Sequence, residues 1–361
     1  MSSYPEPSSP EVPRSLLDYF QDLDDPRMDR CKVHPLVNVL FIAVCAVLSG
    51  AEGWRSIETF GKAKKRWLAR YLDLPEGPRP VPSDDTYRRT ISRLDPEAFE
   101  EVFRAWVASL MTRIDGEVIA LDGKSLRGSR DRDETTLQEQ GGPQKPLHLV
   151  SAWASEQRLV LAQQAVDAKT NEITVLPDLL EMLDLEGCLV TIDAMGTQKT
   201  IAGQIHEEGG DYVLALKSNH KRLYDDVRTH FEEAVGHSRA GSGPSPFPSP
   251  LAPSYDREVD GGHGRVEVRQ CWATDDIRWL DRRDQWPGLQ SIAMVQATRQ
   301  EHKWDEEAGK RVWSKTTQRR YYLSSLPADA KQIATAVRAH WGIENRMHWV
   351  LDVSFSEDAS R

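Results

Sequence analysis

The sequence predicts a mixed α/β protein: an all-α N-terminal domain, then a mixed sheet with flanking helices and a β-rich insertion. Three observations predict it. Apolar residues recur at helical spacing from about Ser15 to Ile114, the spacing changes to that of strands at Glu117, and three strand-like runs then lead into alternating helix and strand. The chain has 361 residues, 39% hydrophobic and 28% charged, which suits a globular protein of two or three domains.

Residues 1–14 are polar and proline-rich and read as a loose tail without a signal peptide. A helical domain over 15–114 follows. Ser15 starts "SLLDYFQDL". Pro35 opens "PLVNVLFIAVCAVLSGA", the most apolar run, a little short for a membrane span and read as a buried core helix. "SIETFGKAKKRWLARYLDL" reads as one helix with Ile57, Phe60, Trp67, Leu68 and Tyr71 at helical spacing. In "PSDDTYRRTISRL", Ser83 or Asp84 is the N-cap, and the helix either enters a DNA groove or presents a solvated charged face. Asp95 caps the next helix, with Pro96 at its first position and acids in its first turn.

From Glu117, "VIALDG", "LHLVSAWA" and "LVLAQQAV" read as three successive strands, the first two separated by a charged loop. "TVLPDLLEML" is then a helix, "CLVTIDA" a strand, "QKTIAGQIHEEG" a helix, "DYVLALK" a strand and "HKRLYDDVRTHFEEAV" a helix. This order matches an RNase H-like core. A Pro/Gly/Ser-rich loop at 237–254 precedes a β-rich segment over about 255–326, with "VDGGHGR" as a hairpin-type turn. The last element, from "DAKQIATAVRAHW" onward, reads as one helix.

The chemistry is expected where an apolar run ends on a carboxylate. Asp122 closes the first strand and Asp193 the fourth, and this element order can set the two strands side by side. Small residues follow each aspartate, and cations come next: Lys124 and Arg127 after the first, Lys199 after the second. Two close carboxylates repel, and hard divalent ions such as Mg²⁺ or Mn²⁺ are the usual remedy. Gly123 is expected to clear space for a polyanion. A third acid comes from the last helix, where His340, Glu344, His348 and Asp352 stand four apart on one face. Each feature has a plainer reading: a turn residue, a solvated face, a local ion pair, or a zinc site on the histidines. Zinc is disfavoured because H-E-x-x-H and clustered cysteines are missing. Cys31, Cys45, Cys188 and Cys271 are scattered, which fits a reducing cytosol. The net charge of −10 argues weakly against nucleic acid, but phosphate contacts are local.

Four stretches, "IALDGKSLRGS", "DAKTNEITVLPDLL", "VTIDAMGTQKTIAGQIHEEGGDYVLALKSNHKRLYDDV" and "HWGIENRMHWVLDVSFSEDASR", resemble the ISAs-type, or H-repeat-associated, transposases of bacterial insertion sequences, within the DDE transposase superfamily. "LLDYFQDLDDPR" and "PSDDTYRRTISRLDPEAF" resemble that family's leading domain, so the likeness covers almost the whole chain. The resemblance implies that Asp122, Asp193 and Glu344 are the catalytic acids and hold two Mg²⁺ or Mn²⁺ ions. It implies that Lys124, Ser125, Arg127, Lys199, Lys217, Asn219, Arg346 and His348 touch DNA or orient the site. Lys169, Asn171 and Glu172 match a family stretch without a clear role. The implied reaction is phosphodiester cleavage at transposon ends followed by strand transfer into target DNA. The implied partner is double-stranded DNA, bound by a homodimer in the cytoplasm on the nucleoid, with no membrane. The alternatives are an inactive or domesticated DNA-binding derivative and a metallohydrolase built on the histidines. The family continues past Arg361 with a further basic helix where this chain stops, so packing behind the last helix is expected to differ.

Overall fold

The computed structural model describes residues 15–28, 30, 32–110, 116–129, 146–166, 171–237, 254–262, 265–305 and 309–359. The tail at 1–14, the domain boundary at 114 and 115, the charged loop at 130–145, Lys169 and most of the 237–254 loop lie outside these residues. The chain divides into two compact units: Met1–Thr112 with Leu351–Glu357, and Arg113–Val350 with Asp358–Arg361.

The described residues from 15 to 110 carry helices and no strand: α1 (Leu16–Phe20), α2 (Leu36–Leu48), α3 (Trp54–Ala63), α4 (Lys65–Leu68), α5 (Asp84–Ile91) and α6 (Pro96–Leu110). Side chains that satisfy the orphan N–H groups start three of them. Ser15 and Asp18 form a capping box on α1, the Ser83 hydroxyl accepts from the Thr86 N–H, and Asp95 Oδ1 accepts from the N–H groups of Glu97 and Ala98. The helix expected as one piece from Ser56 breaks at Lys64, whose φ of −98° and ψ of 10° leave the helical range. Past the break, Trp67 and Tyr71 sit against Phe41 of α2, with ring centroids 6.4 and 6.2 Å away. The apolar run at Pro35 is a core helix, burying Val39, Leu40, Ile42 and Ala46. Among the described residues no helix is long and apolar enough to cross a membrane.

The second unit is built on one nine-stranded sheet. Its strands are β1 (Val118–Leu126), β2 (Leu147–Ala154), β3 (Leu159–Val166), β4 (Leu189–Ile192), β5 (Asp211–Leu216), β6 (Ser254–Gly262), β7 (Arg265–Thr274), β8 (Ser291–Asp305) and β9 (Lys310–Ser324), in the order β3-β2-β1-β4-β5-β9-β8-β7-β6. β1 runs antiparallel to β2 and parallel to β4, β4 parallel to β5, and β9 antiparallel to β5. The β-rich segment therefore continues the central sheet through β9. Helices α7 (Glu172–Glu181), α8 (Lys199–Glu207) and α9 (Lys221–His237) cover one face, and α10 (Ala330–Gly342) covers the other. Strand alternation sorts the core: Ile119 and Leu121 join Leu179, Ile201 and Phe231, whereas Val118 and Leu189 join Ile333, Ala336 and Val337.

Two expectations about element ends need correction. β1 does not close at Asp122 but runs on to Leu126 along β2, while its ladder with β4 ends at the Leu121–Ile192 pair. Asp122 is thus the first residue of β1 beyond its parallel partner. The last helix is also not one α-helix. A π-helical turn, Ile343–His348, separates α10 from α11 (Trp349–Ser354).

Candidate active site

Asp122 follows the last rung of the β1–β4 ladder and Asp193 follows β4 itself, so two adjacent parallel strands deliver two carboxylates to one end of the sheet. Alternation turns both toward α10, and the π turn brings Glu344 to them. All three acids line one cavity of about 130 Å³, together with Lys217, Arg320 and His340. Asp193 is held by its own loop: its Oδ1 accepts the Met195 N–H at 2.8 Å, and the Asn219 amide donates to the Ala194 carbonyl. The Thr197 hydroxyl donates to the Ala215 carbonyl at 2.6 Å, which ties that loop to β5. Gly196 is small for a packing reason, since a Cβ there would lie 2.7 Å from Leu176 Cδ1.

The electrostatics are those of crowded acids. Burial and the neighbouring Glu344 push the Asp122 carboxyl up to about 7, with smaller pushes from Asp193 and Glu172 and a partial offset from the Gly123 N–H. His348 Nδ1 stands 3.7 Å from Asp122 Oδ2. Burial drives His340 the other way, down to about 4, so its ring stays neutral, with Nδ1 3.0 Å from the Thr191 hydroxyl on β4. The two histidines thus serve different strands.

A metal's fit can be judged from this donor set. Among the described residues no three His, Cys, Asp or Glu side chains are already gathered as a metal cluster; the three acids line a cavity instead of meeting at a point. Yet Asp122 is partly dehydrated and crowded by two other acids, a condition that a divalent cation relieves, and the all-oxygen donors suit Mg²⁺ or Mn²⁺. The residues fit the group.

The other expected residues scatter. Lys217 lines the acid cavity. Lys124 lies two positions after Asp122 on the same face of β1, half-buried. Arg127 is exposed, its Nε 3.9 Å from Asp358. Lys199 donates to Gln285 and lines a different cavity with Lys221, Arg222 and Trp286. Asn219 braces the loop after β4. Arg346 is exposed beside Arg269 and Arg338, and His348 is largely enclosed beside Asp122. Asp352 lies in α11, among the residues grouped with the first unit. Gly123 does not open space for a polyanion: the place of its missing Cβ is filled by the Glu172 carboxylate and His148 Nε2. The sequence reading missed Arg320, whose guanidinium lies 4.3 Å from the Trp341 ring centre. Its signal was present, since in "RRYYL" strand alternation puts Arg320 on one face with Tyr322.

Two family models cover most of the chain: "DDE_Tnp_1-associated" over residues 17–107 and "Transposase DDE domain" over residues 113–361. The chain is 39% identical over 349 residues to "Putative transposase YncI" of Escherichia coli O157:H7, spanning 96% of this chain and 82% of that protein. It is 35% identical over 353 residues to "H repeat-associated putative transposase YhhI" of Escherichia coli strain K12, spanning 96% of this chain and 84% of that one.

Proposed function

The chain belongs to the family of transposases with a DDE domain, and from that premise we propose that it cuts and joins DNA at the ends of an insertion sequence, with Asp122, Asp193 and Glu344 as its catalytic acids. One observation carries the assignment of residues: these three acids share a cavity, where burial and then the neighbouring acids raise the proton affinity of Asp122. The strand pattern around them, β1 antiparallel to β2 and parallel to β4, supports an RNase H-like reading of the core.

In this reading Asp122, Asp193 and Glu344 hold two divalent ions. Bound there, Mg²⁺ or Mn²⁺ would supply Lewis-acid activation of the attacking oxygen and stabilise charge on the leaving one. The protein does the rest. The loop from Asp193 to Thr197, pinned to β5 and by Asn219, keeps the second carboxylate in place. Lys217 and Arg320, on the cavity wall, offset the phosphate charge that builds up during displacement. Water attacks a phosphorus atom at the element's end, the bridging P–O bond breaks, and the departing oxygen becomes a 3′-hydroxyl. That hydroxyl then attacks a target phosphodiester, so one P–O bond forms as another breaks. Residues 15–114 serve in this reading to position the DNA ends, residues 115–361 form the catalytic domain, and two copies act together on double-stranded DNA.

The test is to incubate the purified protein with DNA carrying the element's own ends, with and without Mg²⁺. Cutting at the ends only with the metal is expected. Metal-independent cutting, or no binding to end-bearing DNA, would overturn the reading.

A further inference from the structure

Ser125, His148 and Glu172 form a hydrogen-bonded chain outside the acid cavity. Ser125 and His148 are direct partners across the β1–β2 ladder, with Oγ and Nδ1 2.8 Å apart. On its other side, His148 Nε2 lies 2.6 Å from Oε1 of Glu172, the first residue of α7. Gly123 is the enabling position. A Cβ there would lie 2.7 Å from His148 Nε2 and closer still to the Glu172 carboxylate, so an ordinary side chain would collide with both partners. Alternation along β1 puts Gly123 and Ser125 on the face opposite Asp122 and Lys124. His148 and Glu172 are about three-quarters enclosed, whereas Ser125 is exposed, so the chain begins in the interior and ends at a hydroxyl a ligand can reach.

The chemistry of the chain is directional. An ionised Glu172 accepts only, which keeps the proton of a neutral imidazole on Nε2 and leaves Nδ1 to accept from the Ser125 hydroxyl. If an anion takes the Ser125 proton donor for itself, Nδ1 loses that bond and lies beside negative charge. A proton taken up there from solvent turns Nδ1 into a donor to Ser125 Oγ and leaves every group satisfied. Among the described residues, the charged groups on the elements next to His148 include Glu172 on α7, Lys124 and Asp122 on the far face of β1, and Arg127 in the following turn. β3 presents Val166 opposite His148 and has no charged residue, and β2 has none besides His148 itself.

We propose that Ser125 and His148 form a second phosphodiester-contact site, on the sheet face opposite the acids, where a DNA backbone phosphate docks on the Ser125 hydroxyl and His148 takes up one proton. Glu172 is the positioning residue that sets the ring. This rests on the reading of the protein as DNA-binding. The site gives the bound strand an anchor two residues along β1 from Gly123 without drawing on the cations of the acid cavity.

The test is binding of a fluorescein-labelled duplex of generic sequence to the full chain in metal-free buffer between pH 5.5 and 8.5. Wild-type affinity should strengthen toward low pH by up to about tenfold, the weight of one pH unit in proton affinity. In an Asp122→Asn background, which removes the acid that also titrates in this range, His148→Gln should remove that slope, and Ser125→Ala should weaken binding at every pH. Nitrogen-15 NMR of the wild-type imidazoles should show His148 gaining a ring proton when duplex is added at fixed pH. A slope in Asp122→Asn that survives His148→Gln, or a His148 ring that gains no proton when duplex is added, overturns the site. If the wild type binds no duplex at any pH, the DNA reading has failed, and inorganic phosphate becomes the probe: a His148 titration moved upward by phosphate supports the site, and an unmoved one overturns it.

Discussion

At Asp122 the local sequence shows a carboxylate where solvation is poor, and physical chemistry asks what compensates it. That much was legible, because an apolar run with a single acid at its end is a local pattern. What surrounds Asp122 was not legible. Gly123 reads as clearance for a ligand until the fold brings Glu172 and His148 over it, and neither residue advertises that contact in its own neighbourhood. His340 teaches the same lesson. Its spacing from Glu344 suggests a shared polar stripe and the two do line one cavity, but burial holds it as a neutral ring, with Nδ1 against the Thr191 hydroxyl. Its proton affinity in the folded chain, near 4, lies below the ordinary 6.5, so the unfolded chain binds more protons between those values. Stability from this group is complete above pH 6.5 and is lost as pH falls toward 4, by up to about 1.4 kcal/mol per pH unit. Thermal melting of His340→Gln beside wild type checks this. The variant should lose less stability between pH 6.5 and 4, and parallel curves would remove His340 from the account.

Elements were read well where their signals are local, and poorly where hydrogen-bond register decides. Ser15, Ser83 and Asp95 all cap helices, because a short side-chain acceptor before an apolar period has few other uses. The parallel β1–β4 pair could be anticipated from element order. The pairing of β5 with β9 could not, since nothing in either strand names its partner across more than a hundred residues. The π turn at Ile343–His348 has no composition signature at all, yet His340 and Glu344 still line one cavity and His348 stands beside Asp122. Gly61 in α3 looks like a weakness, since glycine costs a helix about 1 kcal/mol against alanine. Its neighbours explain it: a Cβ there would lie 2.5 Å from Val81 Cγ1 and 3.3 Å from Ile42 Cγ2, in the buried core of the helical unit. Gly61→Ala should therefore destabilise by about 1–3 kcal/mol despite its better helix propensity. Adding Val81→Ala should cost less in this background than in wild type, by about 0.5 kcal/mol or more. Urea denaturation of the four proteins measures that coupling, and strict additivity would dismiss the steric explanation.

Across the whole molecule, a net charge of −10 coexists with a site proposed to act on a polyanion. The conflict is resolved locally: Lys217 and Arg320 face the acids from within the same cavity, and screening confines each charge's influence to its neighbourhood. Three acids from β1, the loop after β4 and the turn after α10 are useful together only if a cation holds them, and that is the claim on which the rest depends. The direct measurement is Mg²⁺-dependent cleavage of end-bearing DNA by wild type, Asp193→Asn and Glu344→Gln, with duplex affinity and thermal melting recorded on the same preparations. The neutral amides keep size and shape but are poor ligands for a hard cation. Cleavage should fall by about a hundredfold or more, since the charge removed is the one the reaction turns on, while affinity and folding hold or improve as repulsion among the acids is relieved. Wild-type cleavage matched by Asp193→Asn would contradict the assignment of these acids.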